Sequence, residues 1–487
     1  MTAAPDRWPL MSTLPPDDRR DLKLRAMQAI IDTIREHEVP PGTRLPSTRS
    51  LSRRLGISRN TAIAAIEAMA EQGVVEIRNR SGCYVASNPL APARLPNGRT
   101  PAMPSPARDW LRRFSVVLPE ASPRPPTAEF DFTYGQFDPT LFPTNPWRAC
   151  ERRALAVTEI EAWARDTGDA DDPMLVDYLI STVLARQGIR ARPEEVIVTL
   201  GGQQGRFLVA QLLAGQGTTT GFENPGMLET RQVLELMPTR ALSLPMDDDG
   251  VIAGPEVEAC DTIFLTPGHQ CPTTAVMPLD RREALLDCAT RADTIVVEDT
   301  FEVELLPDPL PALHGLDRTG RVIHIGSMSK LIAPGLRMGY VVAPAEVTRQ
   351  LRALRRLMHR HPPGNNQRAL ALFLAHGHYG AFLRRAYRVL GERNDRMCAA
   401  LARHLPEMQV RHRRGASTFW MTLPSPVPDQ ALAARAASEN LSVRPSVHFF
   451  DAQKGGIGHL QLSVSNLPAE RIEEGVKRLS RVLRGVL

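Results

Sequence analysis

What the 487-residue sequence has little of sets the first limits. Its six cysteines, Cys83, Cys150, Cys260, Cys271, Cys288 and Cys398, are scattered and form no C-x-x-C pair. That spacing gives neither the usual zinc-ligand pattern nor a disulfide framework, so no metal site is expected and a reduced, cytoplasmic setting fits. The N-terminal stretch MTAAPDRWPLMSTLPPDDRR has no apolar core and does not read as a signal peptide. No uncharged apolar run approaches the length needed to span a bilayer, so no membrane partner is expected. Neither sign of charge dominates: the net charge of +5 permits a nucleic-acid partner without requiring one. What is present is ordinary for globular protein, with 43% hydrophobic and 23% charged residues, and the length suits more than one domain. The 42 prolines exceed ordinary use and point to a linker.

One stretch, RVIHIGSMSKLIAPGLRMGY from Arg321 to Tyr340, carries the most chemistry. Val322–Ile325 reads as a buried strand that ends in a Gly-Ser turn. Ser327 and Ser329 precede Lys330, and a second turn at Pro334-Gly335 presents Arg337. A lysine can form an imine with an aldehyde cofactor, and hydroxyls with an arginine can bind its phosphate. The plainer alternative is a surface lysine and a surface arginine beside a loop.

Residues 17–86 read as a DNA-binding domain. Leu24, Met27, Ile31 and Ile34 recur at helical spacing, and that helix ends before Pro40-Pro41-Gly42. Ser47 suits the N-cap of a short helix ending at Leu55-Gly56. Ser58 suits that of a third helix, with Ile63, Ile66 and Met69 inward and Gly73 as its stop. Val75, Ile77, Cys83 and Val85 alternate around Asn79-Arg80-Ser81-Gly82, a hairpin that makes the helix-turn-helix winged. Between Glu38 and Glu67 stand Arg44, Arg49, Arg53, Arg54 and Arg59 and no acidic residue. Arg59, Asn60 and Thr61 open the third helix, where side chains meet base edges in the major groove; Arg49 and the wing suit phosphates. A small helical packing module with a solvated basic face is the alternative. LPSTRSLSRRLGISRNTAIAAIEAMAEQGVV resembles the DNA-binding domain of the GntR family of bacterial regulators. By that resemblance Arg49, Arg59, Asn60, Thr61 and Gly82 of the S-G-x-x-V wing contact DNA.

Residues 87–128, rich in Pro, Ala and Ser, suit an extended tether. Trp110, Leu111 and Phe114, with Arg112 and Arg113, suit a short amphipathic island within it, or a chance cluster.

From residue 129 to 487 strand and helix patterns alternate, which predicts an α/β domain with a mainly parallel sheet. Glu195–Thr199 reads as a strand, and Gly201-Gly202-Gln203-Gln204-Gly205 turns it into a helix. Such a turn aims backbone N–H groups at a phosphate, although a lone G-G-x-x-G is often only a tight turn. Further strands end at TPGHQCPTT, at Asp299 and at the Lys330 turn, and ligands of such sheets bind beyond those ends. Asp299, after an apolar run, needs a cationic partner, and a protonated pyridine nitrogen would serve; a helix-capping aspartate is the alternative. A lysine, a carboxylate and a phosphate cradle together suit pyridoxal 5'-phosphate. This half resembles the fold-type I aminotransferases through S-x-S-K-x-x-x-P-G-x-R-x-G-Y, VEDTF, TPGHQCPTT and FENPGM.

Winged helix, Pro-rich linker and aminotransferase-like domain together resemble the MocR subfamily of transcription regulators. The resemblance implies operator DNA as partner, a head-to-tail homodimer, and pyridoxal phosphate bound by Lys330 as imine, Asp299, Arg337, Ser327, Ser329, Gly202, Gln203 and His269. It also implies a small-molecule effector drawn from amino acids, amines or B6 vitamers. Four departures stand out. Met227 takes the place of the ring-stacking Tyr, and Phe301 that of a Tyr whose hydroxyl meets the ring oxygen. Cys271 replaces the loop asparagine, leaving His269 and Gln270 as its polar groups, and Gln461 falls where relatives carry the carboxylate-binding arginine. Glutamine cannot give arginine's bidentate ion pair, so little or no transamination is expected and the effector is expected to lack a carboxylate or to be the cofactor itself. Arg444 is an alternative anion contact or a solvated arginine. A working aminotransferase with an accessory DNA-binding domain, and a regulator that binds no cofactor, are the competing readings.

Overall fold

Two serines set where the helices of the first unit begin. In the computed structural model, which describes residues 8–9, 22–78, 81–86, 128–135, 138–300, 302–307, 309–451 and 458–486, helix α1 spans Leu22–Glu36, α2 Thr48–Leu55 and α3 Arg59–Glu71. Ser47 Oγ accepts from Ser50 N at 3.2 Å, and Ser58 Oγ accepts from Thr61 N at 3.0 Å, the expected N-caps. Gly56 takes the left-handed conformation between α2 and α3. Of the four residues spaced for the inward face of α1, Met27 is buried and Ile31 and Ile34 pack against the core, and Leu24 alone departs. Ala26, Met27, Ala29, Ile30 and Thr33 are buried, whereas Leu24 is exposed. Small residues win because α1 packs closely on Ala62 and Ala65 of α3. Trp8, upstream of the expected start of this domain, belongs to the same core.

Strands β1 (Val75–Arg78) and β2 (Gly82–Val85) form the wing. Thr43 and Leu45 add backbone bonds to Val85 and Cys83, which ties the wing to the segment before α2. Gly82 has φ 119°, and a Cβ there would lie 3.0 Å from Arg44 Nε. The wing residues Asn79 and Arg80 and the island around Trp110 lie outside the described residues.

The chain divides into two compact units, Met1–Val116 and Val117–Leu487. The second is built on a seven-stranded sheet: β3 (Val196–Thr199), β4 (Thr219–Glu223), β5 (Arg240–Leu244), β6 (Thr262–Leu265), β7 (Ile295–Asp299), β8 (Val322–Ser327) and β9 (Gly339–Val342). Their order is β3-β9-β8-β7-β6-β4-β5, and only β9 runs against its neighbours. Val196, Val198, Ile263, Val296, Val297 and Ile325 are almost wholly covered, as expected of strands buried on both faces. Helix α4 (Gly202–Leu213) follows β3 directly, and α5 (Leu228–Glu235) follows β4 after a short turn. A second sheet of four strands, in the order β10 (Gln409–His412), β11 (Thr418–Thr422), β13 (His459–Ser463), β12 (Arg444–Pro445), has a separate core with Phe130 and Phe132. No helix among the described residues is long and apolar enough to cross a membrane.

Candidate functional site

In the first unit, α3 presents its N-terminus to solvent. Arg59 and Asn60 are exposed and Thr61 is half-buried. Ser58 Oγ lies 2.8 Å from Thr61 Oγ1 as well as capping its N–H, so the Thr61 hydroxyl is held against the helix start. Arg44, Arg49, Arg53 and Arg54 are also exposed, so with Arg59 five exposed arginines stand between Glu38 and Glu67. The Arg78 guanidinium stacks 4.6 Å over the Tyr84 ring, and Tyr84 Oη lies 2.7 Å from Ser81 Oγ, which stiffens the wing.

In the second unit the carboxyl ends of β3, β4, β6, β7 and β8 meet in one crevice, where open parallel sheets bind ligands. Gly201 and Gly202 open α4 without side chains. A Cβ at Gly202 would stand 3.7 Å from Ser327 Cβ and 3.9 Å from Asp299 Oδ1, so three strand ends converge there. Gly201 takes φ 79°, and a Cβ on it would come within 3.0 Å of Arg337 Nη2. Arg337 Nη2 also donates to Leu200 O at 2.8 Å, which lays its guanidinium along the turn. Ser329 does something else: it accepts from Met338 N at 2.6 Å and donates to Met338 O at 3.1 Å. Its hydroxyl therefore clamps the turn that carries Lys330 and Arg337 instead of facing a phosphate.

Asp299 has the cationic partner that its burial demands, and that partner is a side chain. Arg206 of α4, 4% exposed, donates through Nη1 to Asp299 Oδ2 and through Nη2 to Gln203 Oε1. The same Nη1 lies 3.8 Å from Met227 Sδ. Met227 packs with Cys271, Trp420 and Phe449. Behind Asp299, the Glu223 carboxylate accepts from Thr266 N at 3.0 Å and from Gln270 Nε2 at 3.1 Å. Burial pushes the Glu223 carboxyl up to about 7 in spite of those bonds. The Gln270 amide also donates to Pro225 O and Cys271 O, so it holds the loop together. His269 is fully buried in that loop.

Burial raises Cys271, Glu302 and Glu304, and the Lys330 charge opposes that rise at each of them; at Glu229 it adds to a net lowering. Burial nevertheless keeps the Glu302 carboxyl above its ordinary value, and Ser417 and Thr418 donate to it. Burial also pushes the Cys271 thiol up to about 12, so it stays protonated. At Glu229 burial is outweighed by Arg206, with Lys330 and Arg444 adding to it, and the carboxyl falls below the usual range. A cavity of about 90 Å³ opens beside Lys330, between Tyr134, Glu302, Pro334, Phe382 and Ser417.

This donor set fits pyridoxal phosphate. An amine, a buried carboxylate and a side-chain-free helix N-terminus flanked by a serine and an arginine stand around one space. Arg206, Glu229, Glu223 and Trp420 are the residues that sequence reasoning missed. Arg206 was findable, because four residues after Gly202 it falls on the same helix face. Phe301 lies outside the described residues. Cys150, His376 and His378, far from any C-x-x-C spacing, bring donor atoms within 4.8 Å of one another. Burial raises the Cys150 thiol, which opposes the thiolate a metal needs.

Fold and site together define a winged-helix DNA-binding unit joined to an aminotransferase-type domain. Residues 22–85 match the family described as bacterial regulatory proteins, gntR family, and residues 169–479 match aminotransferase class I and II. The chain is 38% identical to the HTH-type transcriptional regulator TauR of Rhodobacter capsulatus, over 97% of this chain and 98% of that one. It is 29% identical to the probable rhizopine catabolism regulatory protein MocR of Rhizobium meliloti, over 90% of this chain and 88% of that one. Among solved structures it resembles LysN, an α-aminoadipate aminotransferase of Thermus thermophilus, with a TM-score of 0.66 and 30% identity over 73% of this chain and 92% of that one. The chain belongs to the MocR-type regulators of the GntR family.

Proposed function

We propose that the protein is a cytoplasmic transcription regulator that binds operator DNA through its winged helix and senses a small metabolite through pyridoxal phosphate, with little or no turnover. The observation that carries the sensing half is the Arg206–Asp299 ion pair inside an otherwise complete donor set. When bound, the cofactor supplies an aldehyde that captures amines and a ring that draws electrons when its nitrogen is protonated. Lys330 holds the aldehyde end. The N-terminus of α4, Ser327 and Arg337 bind the phosphate, and Gln203 borders it. Asp299 already shares its charge with Arg206, so it is a weaker holder of a proton at the ring nitrogen. Met227 covers one ring face without a π-surface. Arg59 and Asn60 grip base edges, and Arg49 and the Gly82 wing approach phosphates.

The effector must interact differently with two states of the protein, here a head-to-tail homodimer, to change DNA binding. Lys330→Ala should abolish an absorbance band near the visible edge while leaving DNA affinity in place. Arg59→Ala should abolish specific operator binding and leave that band intact. DNA affinity unchanged in the Arg59 variant would count against α3 as the recognition helix.

An active aminotransferase with an accessory DNA-binding unit is the second reading. It is favoured by 34% identity over 315 residues to 2-aminoadipate transaminase of Thermus thermophilus. Sustained turnover of an amino donor with a keto acid, at ordinary enzyme rates, would establish it over the sensor.

A further inference from the structure

Gln461 stands in the middle of a row of three side chains. In the four-stranded sheet Trp420 of β11 lies opposite Gln461 of β13, which lies opposite Arg444 of β12. Residues directly opposite on antiparallel strands project to the same face, so Trp420, Gln461 and Arg444 share one. That face looks onto the crevice. Trp420 packs with Met227 and Cys271, and Gln461 Nε2 is 3.9 Å from Cys271 Sγ. The charges of Lys330 and Arg444 both act on Glu229 and Cys271. Arg444 is half-buried, and no hydrogen bond or ion pair with another described residue holds it.

We propose that Arg444 is the anion-binding residue of the crevice and that the effector is a small primary amine carrying a carboxylate or a comparable oxyanion. The resemblance to aminotransferases places a carboxylate-binding arginine at Gln461. Here the same face supplies a guanidinium from the adjacent strand, one step sideways in the sheet. The amine of the ligand reaches toward Lys330 and its oxyanion meets the bidentate fork of Arg444, with Gln461 a neutral neighbour between them. This rests on the sensing function proposed above for the crevice. It reverses the expectation, drawn from Gln461 alone, that the effector lacks a carboxylate.

The test uses the full chain with pyridoxal phosphate and two probes of like length, β-alanine and propylamine. Affinity is read by calorimetry and the cofactor by its visible band. β-Alanine should bind about tenfold or more tightly than propylamine. Arg444→Gln should erase that preference, and Arg444→Lys should keep part of it, with melting temperatures of both variants showing that they fold. Equal affinities in the native chain, no detectable binding of β-alanine, or an Arg444→Gln protein that keeps the preference would each overturn the proposal. A native chain without the visible band would refute the cofactor reading instead, and the calorimetric comparison would still decide the role of Arg444.

Discussion

Arg206 and Asp299 are both more than nine-tenths buried, so each answers for the other's charge. Removing one partner of such a pair leaves an uncompensated charge, at a cost of about 3–5 kcal/mol. Arg206→Met should therefore lower the melting temperature of the cofactor-free protein strongly. Added pyridoxal phosphate should then restore more stability to the variant than to the native chain, because the ring nitrogen becomes the only cation near Asp299. A variant as stable as the native chain would refute this pairing. Glu223 allows a second test. Its folded value of about 7 lies above the ordinary 4.5, so folding favours the protonated form. That contribution is complete below about pH 4.5 and is lost as pH rises through about 7. Relative to Glu223→Gln, the native protein should lose roughly 3 kcal/mol across that interval. Parallel melting temperatures of the two proteins from pH 4.5 to 7 would contradict the raised value.

At the scale of elements, the sequence is most legible where signals are local. The caps at Ser47 and Ser58, the apolar runs of β6, β7 and β8, and the glycine turn into α4 can each be read from a few neighbouring residues. The apolar spacing of α1 finds Met27, Ile31 and Ile34 but not Ala26, Ala29 and Thr33, which are weakly hydrophobic and lie in the closest approach to α3. Ser329 reads as a phosphate ligand because it stands between Ser327 and Arg337 in one motif; only the return of Met338 beside it shows its other task. Arg444 could not be placed because strand register is non-local, and nothing in VRPSVHFF names Gln461 as its neighbour. The cap of α3 gives an element-scale prediction. Ser58→Ala should cost the first unit about 1 kcal/mol. It should also weaken operator binding, since it frees the Thr61 hydroxyl and frays the turn that presents Arg59 and Asn60. Unchanged melting and unchanged DNA affinity would argue against that coupling.

At the scale of the whole molecule, a net charge of only +5 hides a local concentration. The first unit gathers five exposed arginines on a segment without acidic residues, and with the DNA-binding role proposed above those charges should set the response of DNA binding to salt. Arg49→Ala should reduce the slope of log affinity against log salt by about one and weaken all sequences alike. Loss of discrimination between operator and random DNA would instead give Arg49 a role in base reading.

The edge of the large sheet is completed in an order that chain synthesis cannot hurry. Its first strand, Val196–Thr199, pairs with its last, Gly339–Val342. A chain still on the ribosome must therefore extend past residue 342 before that edge has its partner and before Gly202 and Lys330 border one crevice. The winged helix needs nothing beyond Ala86 for its wing pairing. If the units fold as they emerge, the winged helix can be complete while the large sheet still lacks its edge partner, and ribosome-bound chains halted before residue 339 should then bind DNA without responding to the proposed effector.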